Sequence, residues 1–223
     1  MHKLFDVIIV AAGSGTRLGL STPKAFVPLA GKPILRYSFD TFSGHSGTGN
    51  IILVVPEKLV AEVSSEFGGN NVSVVPGGAE RWESVRNGCN AATAEWVLVH
   101  DAARPFVTNA VIDTLLEKRD HFECAFTATP VVDTLRKYNG ETAGETVDRS
   151  DLLRVGTPQL FKRSRLNEGF SLAATMQPPP TDDAMLMQQM GITVGFAWGD
   201  PTNFKITTRE DLTMAEALIA AGQ

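Results

Sequence analysis

The chain has 223 residues, 43% of them hydrophobic, which is enough to bury a full core within a single domain, 1–223. Lys and Arg total 20 against 25 Asp and Glu, so the net charge of -5 excludes a general attraction to nucleic acid or to an acidic membrane face. Two cysteines, Cys89 and Cys124, lack CxxC spacing, which argues against a disulfide framework or a zinc site and reads as core thiols.

The apolar run in the N-terminal MHKLFDVIIVAAG is too short for a signal peptide or a membrane span and points to a cytoplasmic protein. After the strand-like DVIIV come a helix-period PILRYSFDTF, a strand IILVVP, a helix EKLVAEVSSEF, a strand VSVVP, a helix ERWESVRNGCNAAT and a strand WVLVH. Strands taking turns with helices form βαβ units on a parallel sheet, so this part predicts a doubly wound α/β layer. Between VVDTL and TPQLF the helix rhythm stops, and an Asn139-Gly140 turn signal separates two alternating stretches, predicting a projecting β-hairpin over about 132–158. A helix KRSRLNEGFSLAATM, a QPPPT break, a helix from about Asp182 and a strand ITVGFAW follow. Thr207 and Glu210 predict a capping box at the start of the last helix.

The stretch VAAGSGTRLGLSTPK, residues 10–24, leaves the first strand at the edge where parallel α/β sheets bind ligands. It lacks the third glycine of a dinucleotide fingerprint and the Gly-Lys-Ser/Thr ending of a Walker A loop, so neither NAD nor a P-loop ATPase is supported. What remains is a tight turn whose backbone N–H groups approach an anion, with Arg17 as a fork and Lys24 as a point charge, a pairing that suits a polyphosphate. Asp101, directly after WVLVH, is placed to hold Mg²⁺ that bridges to phosphates. His100 reads as a hydrogen-bonded structural residue, and Arg104 as a loop residue pairing with a carboxylate. In PGGAERWESVRNG, Gly77 and Gly78 free backbone groups to read a base edge that Ser84 would also reach; a plain strand-to-helix turn explains them equally well.

Taken together, AAGSGTRLG with a following PK, GGAERWESVRNG, VHDAARPF, VDT, TVDR, GTPQLF, TDDA and NFKIT resemble the 2-C-methyl-D-erythritol 4-phosphate cytidylyltransferase family, across essentially the whole chain. The resemblance implies a Rossmann-like, mostly parallel α/β sheet flanked by helices, of the nucleotide-diphospho-sugar transferase type, with a projecting β-hairpin arm. It also implies transfer of CMP from CTP to 2-C-methyl-D-erythritol 4-phosphate with Mg²⁺ or another divalent cation. By motif, Arg17, Lys24 and Lys205 would be catalytic, and Ala11, Ala12, Gly13, Ser14, Gly15, Gly78, Ala79 and Ser84 would line the nucleotide. Asp101, Thr134, Arg149, Thr157 and Thr181 would hold the acceptor, with Asp101 also near the metal. The arm would embrace a second subunit and lend Thr134 and Arg149 to its site, implying a homodimer.

Three positions depart from the commoner pattern of the family: Ala25-Phe26 after Lys24, Trp82 after Glu80-Arg81, and Phe204 before Lys205. None removes a charged group. A ribitol 5-phosphate cytidylyltransferase shares the loop, the arm and the lysine, while AAG and HDAARP lean toward the isoprenoid enzyme. From another class, a non-catalytic nucleotide-sensing module would keep the loop without the chemistry.

Overall fold

A computed structural model describes residues 4–13, 15 and 22–222. Its centre is a seven-stranded sheet, built in chain order from β1 (Phe5–Val10), β4 (Thr48–Val55), β5 (Val72–Pro76), β6 (Trp96–Asp101), β7 (Cys124–Pro130), β10 (Leu153–Lys162) and β11 (Gly195–Trp198). The spatial order is β11-β7-β10-β6-β1-β4-β5. Every pairing is parallel except those of β10, which runs antiparallel to both β6 and β7. The expected mostly parallel α/β sheet is therefore present. Two short strands, β2 (Pro28–Leu29) and β3 (Lys32–Pro33), form a separate pair beside the first loop.

After Asp6, the run VIIV of β1 is apolar without interruption because both faces are covered. Val7 and Ile9 point to one face, where they meet α1 (Ile34–Gly44), α2 (Val60–Phe67) and α4 (Asn109–Leu116) through Leu35, Phe42, Phe67 and Leu115. Ile8 points to the other, against α3 (Arg81–Ala91), α5 (Arg163–Ala173) and α6 (Ala184–Gln189) through Val85, Phe170 and Met187. Cys89 and Cys124 belong to this second layer and are fully buried; burial pushes the Cys89 thiol up to about 12, as expected of an inert core residue.

The chain steps from β1 outward to β4 and β5, then crosses back to place β6 on the other side of β1. This reversal opens a crevice at the carboxyl ends of β1 and β6, where Val10 stands in register with Asp101.

Strands β8 (Leu135–Asn139) and β9 (Thr142–Val147) pair only with each other and are almost wholly exposed, turning at Gly140 with φ +58°. The hairpin is shorter than the predicted 132–158, because from Leu153 the chain pairs with β7 and joins the main sheet. The cap of the last helix, α7 (Arg209–Ala220), also shifts by one residue. Thr208 and Asp211 form the capping box in place of Thr207 and Glu210, since Thr208 Oγ1 accepts the Asp211 N–H and Asp211 Oδ2 accepts that of Thr208. Adjacent threonines and adjacent acids offer two frames, and the extended backbone at Thr208 selects the second. Among the described residues no helix is long and apolar enough to cross a membrane.

Candidate active site

The first loop returns to the sheet edge through Gly15, which has φ +69°. A Cβ there would lie 2.8 Å from Lys24 Cβ and 2.9 Å from Lys24 N, so only glycine lets the loop close onto Lys24. Lys24 thus borders a cavity of about 390 Å³ together with Ala11, Ala12 and Gly13. The opposite wall of this cavity comes from Gly78, Ala79 and Ser84, and its floor from Asp101 and Lys205. Arg17 and Ser14 lie outside the described residues.

Gly77 allows the second loop to approach the first: a Cβ would meet Ala12 Cβ at 2.4 Å and Ser84 Oγ at 3.0 Å. Ser84 is nearly buried, and its Oγ accepts the Gly78 N–H at 3.0 Å while donating to Glu80 O at 3.4 Å. Its hydroxyl therefore braces the loop that forms the wall. A capping box between Glu80 and Glu83 starts α3 and presents Arg81 at the first helical position, aimed at the crevice.

Charge is concentrated between the two loops. Lys205 Nζ donates to Asp101 Oδ2 at 2.8 Å, and Arg81 approaches Asp101 Oδ1 through Nε at 3.4 Å and Nη2 at 3.3 Å. Arg81 Nη1 reaches Asp183 Oδ2 at 2.6 Å. Burial works against a charged Asp101, but the guanidinium of Arg81 and the ammonium of Lys205 overcome it and hold the carboxyl well below the usual carboxylate range. Burial likewise opposes charge on Arg81, and the Asp183 and Asp101 carboxylates more than offset it.

A second cavity, of about 430 Å³, lies on the far side of this network and is lined by Arg81, Asp101 and Lys205 from the shared wall and by Thr157, Thr181 and Gln159 beyond it. Thr181 is exposed at its margin. Thr157 is buried, with its hydroxyl engaged inside the protein: Oγ1 accepts the Asp101 N–H at 3.1 Å and lies 3.2 Å from His100 Nδ1. His100 Nε2 lies 3.0 Å from Arg104 O, so the neutral ring donates from Nε2 and accepts at Nδ1. Complete burial lowers the His100 pKa to about 4 and makes it the structural residue expected. Arg104 lines the second cavity and donates from Nη1 to Asn203 O at 3.1 Å, while burial opposes its charge and the Asp101 carboxylate favours it without a direct hydrogen bond. Thr134 and Arg149 are exposed next to the hairpin, with Arg149 donating to Val132 O, and line neither cavity within a single chain.

Two participants, Arg81 and Asp183, were missed from sequence. Arg81 was visible only as one cation in a helix start. Asp183 sits in TDDA beside Asp182, which accepts the Met185 N–H of the first turn of α6 and the Gln159 Nε2 donor, each at 3.1 Å. Pairing Arg81 with Asp183 joins positions 102 apart, which no local signal predicts. Among the described residues no group of three or more His, Cys, Asp or Glu is arranged to hold a metal, and Asp101 is a carboxylate that lines both cavities.

A family model described as 2-C-methyl-D-erythritol 4-phosphate cytidylyltransferase matches residues 5–221. The chain is similar to the protein of that description from Halalkalibacterium halodurans, 38% identical with 97% of each chain covered. It is similar also to the one from Bacillus licheniformis, 38% identical, with 97% of this chain and 96% of that one covered. Among solved structures, the Thermus thermophilus 2-C-methyl-D-erythritol 4-phosphate cytidylyltransferase superposes with a TM-score of 0.81 at 32% identity, over 99% of this chain and 100% of that one. A 4-diphosphocytidyl-2C-methyl-D-erythritol synthase from Anaerococcus prevotii does so with a TM-score of 0.86 at 26% identity, over 98% and 96%. The match spans nearly the whole chain, and the chain belongs to the 2-C-methyl-D-erythritol 4-phosphate cytidylyltransferase family.

Proposed function

We propose that this chain transfers CMP from CTP to 2-C-methyl-D-erythritol 4-phosphate, releasing pyrophosphate and 4-diphosphocytidyl-2-C-methyl-D-erythritol, and that it does so in the cytoplasm as a homodimer. The observation that carries the reading is the pair of cavities sharing one wall of Arg81, Asp101 and Lys205. Two polyanions bound on either side of that wall meet at its cationic edge. The nucleotide occupies the cavity of Ala11–Gly13, Lys24, Gly78 and Ala79, and the acceptor occupies that of Thr157 and Thr181.

The acceptor phosphate oxygen attacks the α-phosphorus of CTP in line, and the bond to the leaving pyrophosphate breaks. That oxygen is already anionic at neutral pH, so no general base is needed, consistent with His100 being buried, neutral and turned away from proton transfer. The chain's task is to align the two reactants and to neutralise charge building on the α-phosphate and the pyrophosphate. Lys24 and Arg17 serve the triphosphate; Lys205, held by Asp101 at the shared wall, serves the reacting phosphates. A divalent cation would be held through the Asp101 carboxylate, which it would share with Lys205 and Arg81, and would supply further countercharge to the phosphates. The arm reaches a second subunit, bringing Thr134 and Arg149 to the acceptor cavity there, which suits their exposure in a single chain.

The test is pyrophosphate release from CTP and Mg²⁺ with either 2-C-methyl-D-erythritol 4-phosphate or ribitol 5-phosphate. Release with the first acceptor alone is expected. Release with ribitol 5-phosphate alone overturns the acceptor, and silence with both overturns the reaction.

A further inference from the structure

Asp183 is 1% exposed and lines neither cavity, yet its carboxylate makes the shortest contact in the ion network, 2.6 Å from Arg81 Nη1. Arg81 spans two carboxylates. Its contacts to Asp101, at 3.3 and 3.4 Å, are longer than its contact to Asp183, so the guanidinium is anchored from behind and leans more loosely on the residue in front. Asp183 Oδ1 has no partner among the described residues, which makes this a costly way to fill space. A buried ion pair of this kind adds little net stability relative to apolar packing, whereas it fixes an orientation well. The object so oriented is Asp101, whose second oxygen holds Lys205 at 2.8 Å on the wall between the cavities.

We propose that Asp183 is a positioning residue for the transfer reaction: it fixes Arg81, Arg81 fixes the Asp101 carboxylate, and that carboxylate places the Lys205 ammonium between the two phosphates. The inference rests on the role given to Lys205 under the proposed function. A fork is required at Arg81, because a lysine ammonium cannot span Asp183 and Asp101 together.

The experiment compares steady-state pyrophosphate release by wild type, Asp183→Asn, Arg81→Lys, Arg81→Ala and the double variant Asp183→Asn/Arg81→Ala, with circular dichroism to verify folding. Asp183→Asn and Arg81→Lys should each lower kcat on the order of 10- to 100-fold, as for other residues that orient a directly acting group, and Asp183→Asn, outside both cavities, should leave KM for CTP unchanged. The double variant should be no slower than Arg81→Ala alone, because Asp183 acts only through Arg81. Wild-type kcat in folded Asp183→Asn overturns the proposal, as does a double variant in which the two losses multiply. Should Asp183→Asn not fold, Arg81→Lys decides: its kcat falls, or the proposal fails. Activity of the wild type in the same assay tests the parent reading separately, since only its silence counts against the reaction itself.

Discussion

Lys205 Nζ and Asp101 Oδ2 lie 2.8 Å apart although 104 positions separate the two residues in the chain. Asp101 ends β6 and Lys205 lies in the segment leading to α7, so the ion pair ties the last part of the chain to the sheet's switch point. Lys205 is over a third exposed, so the pair contributes little to stability, and its importance is where it puts the ammonium. Lys205→Ala should therefore fold normally and lose about 2–4 kcal/mol of transition-state stabilisation, the scale of a lost oxyanion partner. Pyrophosphate release by a variant with an unchanged unfolding curve checks this, and near-normal turnover would remove Lys205 from the mechanism.

The arm gives a prediction that only a dimer can satisfy. Arg149 is exposed beside the hairpin in one chain, while Lys24 borders the cavity at that chain's own first loop. If arms are exchanged, Arg149→Ala and Lys24→Ala are each inactive alone, yet a mixed dimer retains one site with its own Lys24 and the partner's Arg149. Random mixing should then restore about a quarter of wild-type turnover, from one intact site in each mixed dimer. No recovery in refolded or coexpressed mixtures would sink arm exchange.

His100 sets an acid limit on stability. The unfolded chain protonates this imidazole below about pH 6.5, the ordinary histidine value. In the folded chain burial holds its pKa at about 4, so between these values the unfolded state binds more protons. Stability is then fully present above pH 6.5 and lost as the pH falls toward 4, by about 3 kcal/mol in all. Asp101 and Asp6, both held below their usual carboxylate values, add their own losses only below about pH 4. Urea midpoints measured across this range at fixed protein concentration should slope for wild type and flatten for His100→Asn. Equal slopes would contradict the assignment.

Asp6, at the opposite end of β1 from the site, accepts from the backbone N–H groups of Asn50, Thr93 and Ala94 and from Asn50 Nδ2. It ties the entries of three neighbouring strands together. Asp6→Ala strands those donors and should cost about 3 kcal/mol of stability. Turnover at low temperature should be unaffected, because the carboxyl edge of the sheet is not touched. A denaturant midpoint equal to wild type would show that water replaces the carboxylate.

The sequence by itself determined the layered α/β fold, the position of the glycine loop after the first strand, the hairpin and the inertness of the two cysteines. These depend on local signals: uninterrupted apolar runs, helix-period segments and turn residues act within a few positions of one another. It also determined family membership through motifs spread along the chain, and those motifs singled out Lys24, Asp101 and Lys205 as candidates. Tertiary structure alone decided how those residues are used. It turned the Thr157 and Ser84 hydroxyls inward to brace backbone, chose Thr208 over Thr207 as the cap, and ended the arm where β10 found β7. Above all it joined Arg81 to Asp183 and Asp101. Partnerships of that kind are set by which strand ends and helix starts converge at the switch point, and their chemistry appears only when distant charges are buried together and must answer one another.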